Sequence, residues 1–108
     1  RSTVQLRVNI DQHGTSPVAL QCEFADTGEG TVPGGLLDQL VAAGVTGIPS
    51  AALTRRTVDS VQVDGGCVDF QVGWSASPEI DVIGFTPCQS TDDCPTGQVC
   101  NTQLEICE

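Results

Sequence analysis

The chain has 108 residues, four of them basic and 14 acidic, for a formal net charge of −10 at pH 7. The basic residues are Arg1, Arg7, Arg55 and Arg56, with no lysine. Nucleic-acid binding and adsorption to an anionic membrane both need a concentrated basic field, and four scattered guanidiniums on an acidic chain do not provide one. No run approaches the ~20 apolar residues of a membrane-crossing helix, so membrane insertion is not expected either.

From the N-terminus, residues 3–10 alternate cleanly, with Val4, Leu6, Val8 and Ile10 on one side and Gln5, Arg7 and Asn9 on the other. Period-two alternation of this kind predicts a half-buried antiparallel strand. Residues 17–24 repeat the pattern through Val18, Leu20, Cys22 and Phe24, after a turn-forming loop over 11–16. These two strands either form a hairpin or lie in opposite sheets. Leu36, Leu37, Leu40 and Val41 recur at helical spacing, and Gly44 is placed to end that helix. Ser50 is positioned to cap a short second helix ending near Arg55. Two further strands, 57–63 and 67–74, flank an Asp64-Gly65-Gly66 turn, and Val68, Phe70, Val72 and Trp74 share one side. That alternation predicts a core position for Trp74. A last strand is expected over 79–86.

The expected architecture is mainly β: an antiparallel sandwich-like domain with one short helix over 1–87, then a small disulfide-stapled module over 88–108. With only three Phe, one Trp and no Tyr or Met, the core has to be aliphatic, so covalent cross-links carry weight in a chain this short.

Six cysteines, Cys22, Cys67, Cys88, Cys94, Cys100 and Cys107, read as a disulfide framework. Such bridges persist in oxidising compartments, which places the protein outside the cell, secreted or at the cell surface. A chain opening at Arg1, with neither an initiating Met nor an apolar leader, is read as a processed mature form. Cys22 and Cys67 are expected to pair, although Cys67 falls on the polar side of its strand. The four tail cysteines then pair among themselves, in one of three arrangements.

The tail spacing is C-x5-C-x5-C-x6-C, with an embedded Asp93-Cys94-Pro95-x-Gly97-x-x-Cys100. It resembles the short cysteine-rich modules of many secreted proteins, where two bridges staple a minimal hairpin. The resemblance covers about a fifth of the chain. It implies a structural or partner-binding role without a reaction, and the interlaced pairing Cys88–Cys100 and Cys94–Cys107.

No catalytic, cofactor or metal site is expected. Structural zinc favours C-x2–4-C pairs, and none occurs. His13 is the only histidine, and its neighbours Asp11 and Ser16 share its loop, whereas a triad needs groups converging from separate rigid elements. Carboxylate pairs at Glu79/Asp81 and Asp64/Asp69 lack the aromatic cleft of a glycosidase. For calcium the candidates are Asp59, Asp64 and Asp69 around one hairpin and Asp92 and Asp93 in the tail, without an Asp-x-Asp-x-Asp-Gly string. There is no N-x-Ser/Thr sequon, while the loop serines and threonines are compatible with O-linked sugar.

The expected function is therefore a non-catalytic extracellular structural or interaction protein. Its partners are copies of itself or other extracellular proteins, with Val4, Leu6, Val8 and Ile10 forming an assembly strand that adds to a neighbour's sheet edge, as in a surface filament. The alternatives are a calcium- or carbohydrate-binding adhesion module and a protease inhibitor presenting the loop 91–96.

Overall fold

The structure is a computed structural model that describes residues 1–13 and 18–108. The alternating segments form β1 (Ser2–Asn9) and β2 (Ala19–Ala25), paired antiparallel with Leu6 opposite Cys22 and Val4 opposite Phe24. The loop predicted between them, and the Pro17 start of the second strand, fall partly outside the described residues.

Helix α1 (Gly34–Ala43) forms where the helical spacing predicts it, and buries Leu40. It ends at Gly44, whose φ of +130° no residue with a Cβ adopts easily. The Asp11 carboxylate approaches this glycine and accepts the Thr46 hydroxyl, while β-bridge contacts join Asp11 to Thr46. Asp11 is thus a buried polar latch between the end of β1 and the chain leaving α1.

Two long strands follow, β3 (Ser50–Val63) and β4 (Gly66–Ala76), and the sheet order is β2-β1-β3-β4, antiparallel throughout. The short helix predicted from Ser50 does not form. Residues 50–56 lie beside β1, where Leu53 faces Leu6 and Ala51 faces Val8, and those ladder bonds override the helix propensity of Ala and Leu. The expected strand over 79–86 is also absent. The segment is irregular, with a turn closed from Phe85 N–H to Val82 C=O, and only Pro87 bridges to Ile106.

The chain ends in a two-stranded ribbon, β5 (Cys100–Asn101) and β6 (Ile106–Cys107), stapled by Cys88–Cys100 and Cys94–Cys107. This is the pairing the tail's resemblance implies. The tail packs against the rest of the chain. Ile106 joins Ile10, Leu40 and Val45 in the buried cluster, with Val8, Leu20, Ile80, Val82 and Leu104 around it. The mainly-β antiparallel expectation holds. The material over the sheet's apolar face at this end is α1 and the stapled tail.

The core therefore occupies one end of the sheet. The molecule measures 70 × 26 × 25 Å with a radius of gyration of 19.0 Å. A compact domain of this length would have about 13 Å. The excess length comes from β3 and β4: β1 pairs with β3 only as far as Ser2 opposite Thr57, and the remaining six pairs, to Val63 opposite Gly66, stand beyond it as a two-stranded arm.

Ile106→Ala should lower the unfolding free energy by about 2–4 kcal/mol in urea denaturation, because it opens a cavity where tail, helix and sheet meet. An effect below about 0.5 kcal/mol would mean that the tail is not packed on the core.

Candidate functional site

The register fixes which side chains share a face. Directly opposed residues point the same way, so Leu6, Cys22, Leu53 and Ala76 lie on one side, with Val4, Phe24, Arg55 and Trp74 one step further along. Continuing outward, the same face carries Thr57 and Val72, Asp59 and Phe70, Val61 and Val68, then Val63. At the helix end this face is covered. Along the arm it is bare: Val72 is 70% exposed, Trp74 57% and Phe70 54%, with Val61, Val63 and Val68 exposed beside them.

Trp74 is thus not a core residue, contrary to the expectation from its alternation. Its strand alternates for the ordinary reason that one face is apolar, but among the described residues the cover over that face gives out before Trp74, which stands level with Val4 at the rim of a groove.

At the base of the arm the face deepens into a groove of about 300 Å³, floored by Val4, Leu6, Phe24, Leu53 and Trp74 and bordered by Arg55. Its wall is the loop after β2, which passes so close to Phe24 that a Cβ at Gly30 would meet the ring at 2.9 Å. Arg55 Nε donates to Asp26 at 2.6 Å, tying the arm base to that loop.

The arm's outer edge is partly finished by local groups. Val58 N–H donates to Arg1 C=O, and the Arg1 ammonium donates back to Val58 C=O, adding one rung past β1. The next outward amide, Ser60 N–H, is accepted by the Asp59 carboxylate at 2.9 Å. On the opposite face Ser60 Oγ donates to Asp69. At the tip, Asp64-Gly65 makes the turn, with Gly65 at φ +92°.

The expected Cys22–Cys67 bridge does not form, and both residues are free thiols. Cys22 sits on β2 at the level of Leu53 and Ala76, whereas Cys67 is nine residues further along β4, roughly 30 Å away. A disulfide needs Cα atoms within ~7 Å. The assembly strand is also misplaced by the sequence reading. Val4, Leu6 and Val8 belong to β1, which is hydrogen-bonded on both sides, and Ile10 is in the core. The open edges belong to β2 and β4.

The acidic candidates do not converge. Asp59 and Asp69 occupy opposite faces of the arm and Asp64 its turn. Asp93 closes a capping box on the 3-10 turn Thr91–Asp93, accepting Gln89 N–H at 2.9 Å and Ser90 N–H at 3.0 Å. These backbone donors, Gln89 first, hold its carboxyl below the usual aspartate range. His13 pairs with Glu105 at 3.0 Å, across to the tail. The sulfurs of Cys88, Cys94 and Cys107 lie within 4.8 Å of one another, but each is spent in a disulfide. The arm's exposure could not be read from periodicity.

Comparison with family models, with curated proteins and with solved structures gives no match.

Two measurements test this surface. Under native, non-reducing conditions a maleimide should label two cysteines per chain, Cys67 at least ~10-fold faster than Cys22, and leave the tail untouched. A protein with no free thiol would sink this assignment. Separately, because the Asp93 carboxyl is depressed in the folded state, its contribution is present above the ordinary aspartate range and disappears as pH falls through the depressed value. Asp93→Asn should therefore destabilise the tail at neutral pH, with the difference from wild type vanishing in acid.

Proposed function

We propose that this protein is a non-catalytic extracellular interaction module, and that the β3–β4 arm is its contact element. The observation that carries the reading is a run of exposed apolar side chains on a projecting ribbon, Trp74, Val72, Phe70 and Val68 down β4 with Val61 and Val63 beside them toward the tip, and Thr57 and Asp59 the polar residues opposite. Monomeric soluble proteins rarely expose contiguous apolar patches of more than a few hundred Å², and larger ones mark interaction surfaces. The arm is poorly suited to any role within the fold, since a two-stranded ribbon alone in water is at best marginally stable. The two tail disulfides support an oxidising environment, and secretion follows as the simplest route to one.

Contact and folding roles make opposite predictions for the same residues. Phe70→Ser and Val72→Ser should change the unfolding free energy by less than about 1 kcal/mol, where a packed core would lose about 3–5 for the phenylalanine. The same substitutions should abolish binding of the labelled chain to an array of extracellular proteins that includes this chain itself. Binding that is absent across the array at micromolar concentration, or that survives both substitutions, would overturn the reading. Calorimetry with Ca²⁺ and a glycan array address the adhesion alternatives, and a saturable, arm-independent response in either would replace this proposal.

A further inference from the structure

We infer that the partner seated on the arm is a second copy of this chain, packed face to face and antiparallel about a two-fold axis at the level of Val58 and Gln71. The inference rests on the arm being the contact element and adds the identity and geometry of what covers it.

Area is the first argument. The exposed apolar surface of Val61, Val63, Val68, Phe70, Val72 and Trp74 is on the order of 500 Å². One side of a standard interface is about 800 Å², a little over half of it apolar. The arm therefore holds about the apolar share that one partner of a stable pair contributes.

Shape is the second. A two-fold contact is isologous, so whatever projects at one end of the patch must fit what is hollow at the other. This patch has both. With the axis at the Val58–Gln71 level, Phe70 stacks over the second copy's Val72, and Val68 over its Trp74. Val61 lies on the Arg55 stem, and Val63 at the arm tip reaches the level of Leu53, the mouth of the 300 Å³ groove. Each groove receives the other tip. Sheets stack ~10 Å apart, so side chains of this size meet across the gap. Asp59, turned outward to the Ser60 amide, stays at the rim.

Charge is the third. Residues 50–76 carry Arg55 and Arg56 against Asp59, Asp64 and Asp69, a net −1, so the rest of the chain holds nine of its ten net negative charges. Within this stretch both arginines lie at the base and all three aspartates on the arm, so the antiparallel pairing sets each copy's acidic arm against the other's basic base and keeps the acidic bodies at opposite ends of the assembly.

The test is sedimentation equilibrium with site-directed cross-linking, in the whole 108-residue chain carrying Cys22→Ser and Cys67→Ser to silence the native thiols. The parent should be a reversible dimer at micromolar concentration. Val72→Asp, at a position too exposed to disturb folding, should weaken it at least ~100-fold while the far-ultraviolet circular dichroism stays unchanged. Thr57→Cys combined with Asp59→Cys, which this two-fold sets across from each other, should yield a dimer cross-linked by a bis-maleimide spanning the ~10 Å between sheets, whereas Gln71→Cys, on the other face, should not cross-link. A monomer at 100-fold higher concentration overturns the inference. So does cross-linking through Gln71→Cys, which would mean that β4 edges pair instead. Arm-dependent binding to a different protein on the array, with no self-association, overturns this pairing and leaves the proposed function standing.

Discussion

β3 runs for 14 residues, and β1 has only eight to set beside it. Every other feature of the surface follows from that inequality. Where β1 is present, the sheet has four strands and enough breadth to bury an apolar face under α1 and the tail. Where β1 stops, the same alternation continues on two strands, and Phe70, Val68, Val61 and Val63 are exposed there. A residue's burial on this face depends less on its type than on its level along β3, and exposure is already high at Trp74, opposite Arg55. Leu53, Phe24 and Leu6 are partly sheltered, while Phe70 and Val72 are bare.

The covered end is correspondingly small. Its cluster of Ile10, Leu40, Val45 and Ile106 contains no aromatic side chain, and the large rings lie outside it. Two disulfides, each typically contributing ~2–4 kcal/mol, are of the order of a small domain's whole stability margin. Their effect reaches the sheet through Ile106, which pairs with Asn101 in the stapled ribbon and is itself part of the core. Stapling the tail therefore also holds down the lid on β1 and β2, with the Asp11–Thr46 latch and the His13–Glu105 pair closing the same seam.

Much of this was legible in the residues. Alternation located β1, β2 and β4, helical spacing with Gly44 located α1, and Asp64-Gly65 located the arm's turn. The failures have physical causes. Ser50-Ala51-Ala52-Leu53 has local helix character, but becomes strand because β1 offers it a ladder through Leu6 and Val8, partners 47 and 43 residues away in sequence. Pairing Cys22 with Cys67 followed from evenness of count, which carries no information on distance along a sheet. β1 is the most regular alternating segment, and regularity of that kind marks a strand with neighbours on both sides as readily as one with a free edge. Trp74 was misplaced for a related reason: periodicity tells which face a side chain is on, and says nothing of whether that face is occupied.

The arm has two ways to lose its exposed surface, and they lead to different assemblies. Pairing along the open edge of β4 satisfies backbone amides but leaves the apolar column in water and the β2 edge still free, so growth does not terminate. Packing face to face removes the apolar column itself, and with a two-fold axis it ends at two copies. The side chains favour the second. Asp59 occupies the first free amide on β3's outer edge, and the face away from the column carries Ser60 and Asp69 bonded to each other, with Gln71 and Ser75 beyond. The edges and the reverse side carry groups that suit water, whereas the column from Trp74 to Val68 is apolar and exposed. A hydrophobic driving force of about 25 cal/mol per Å² acts only on the latter.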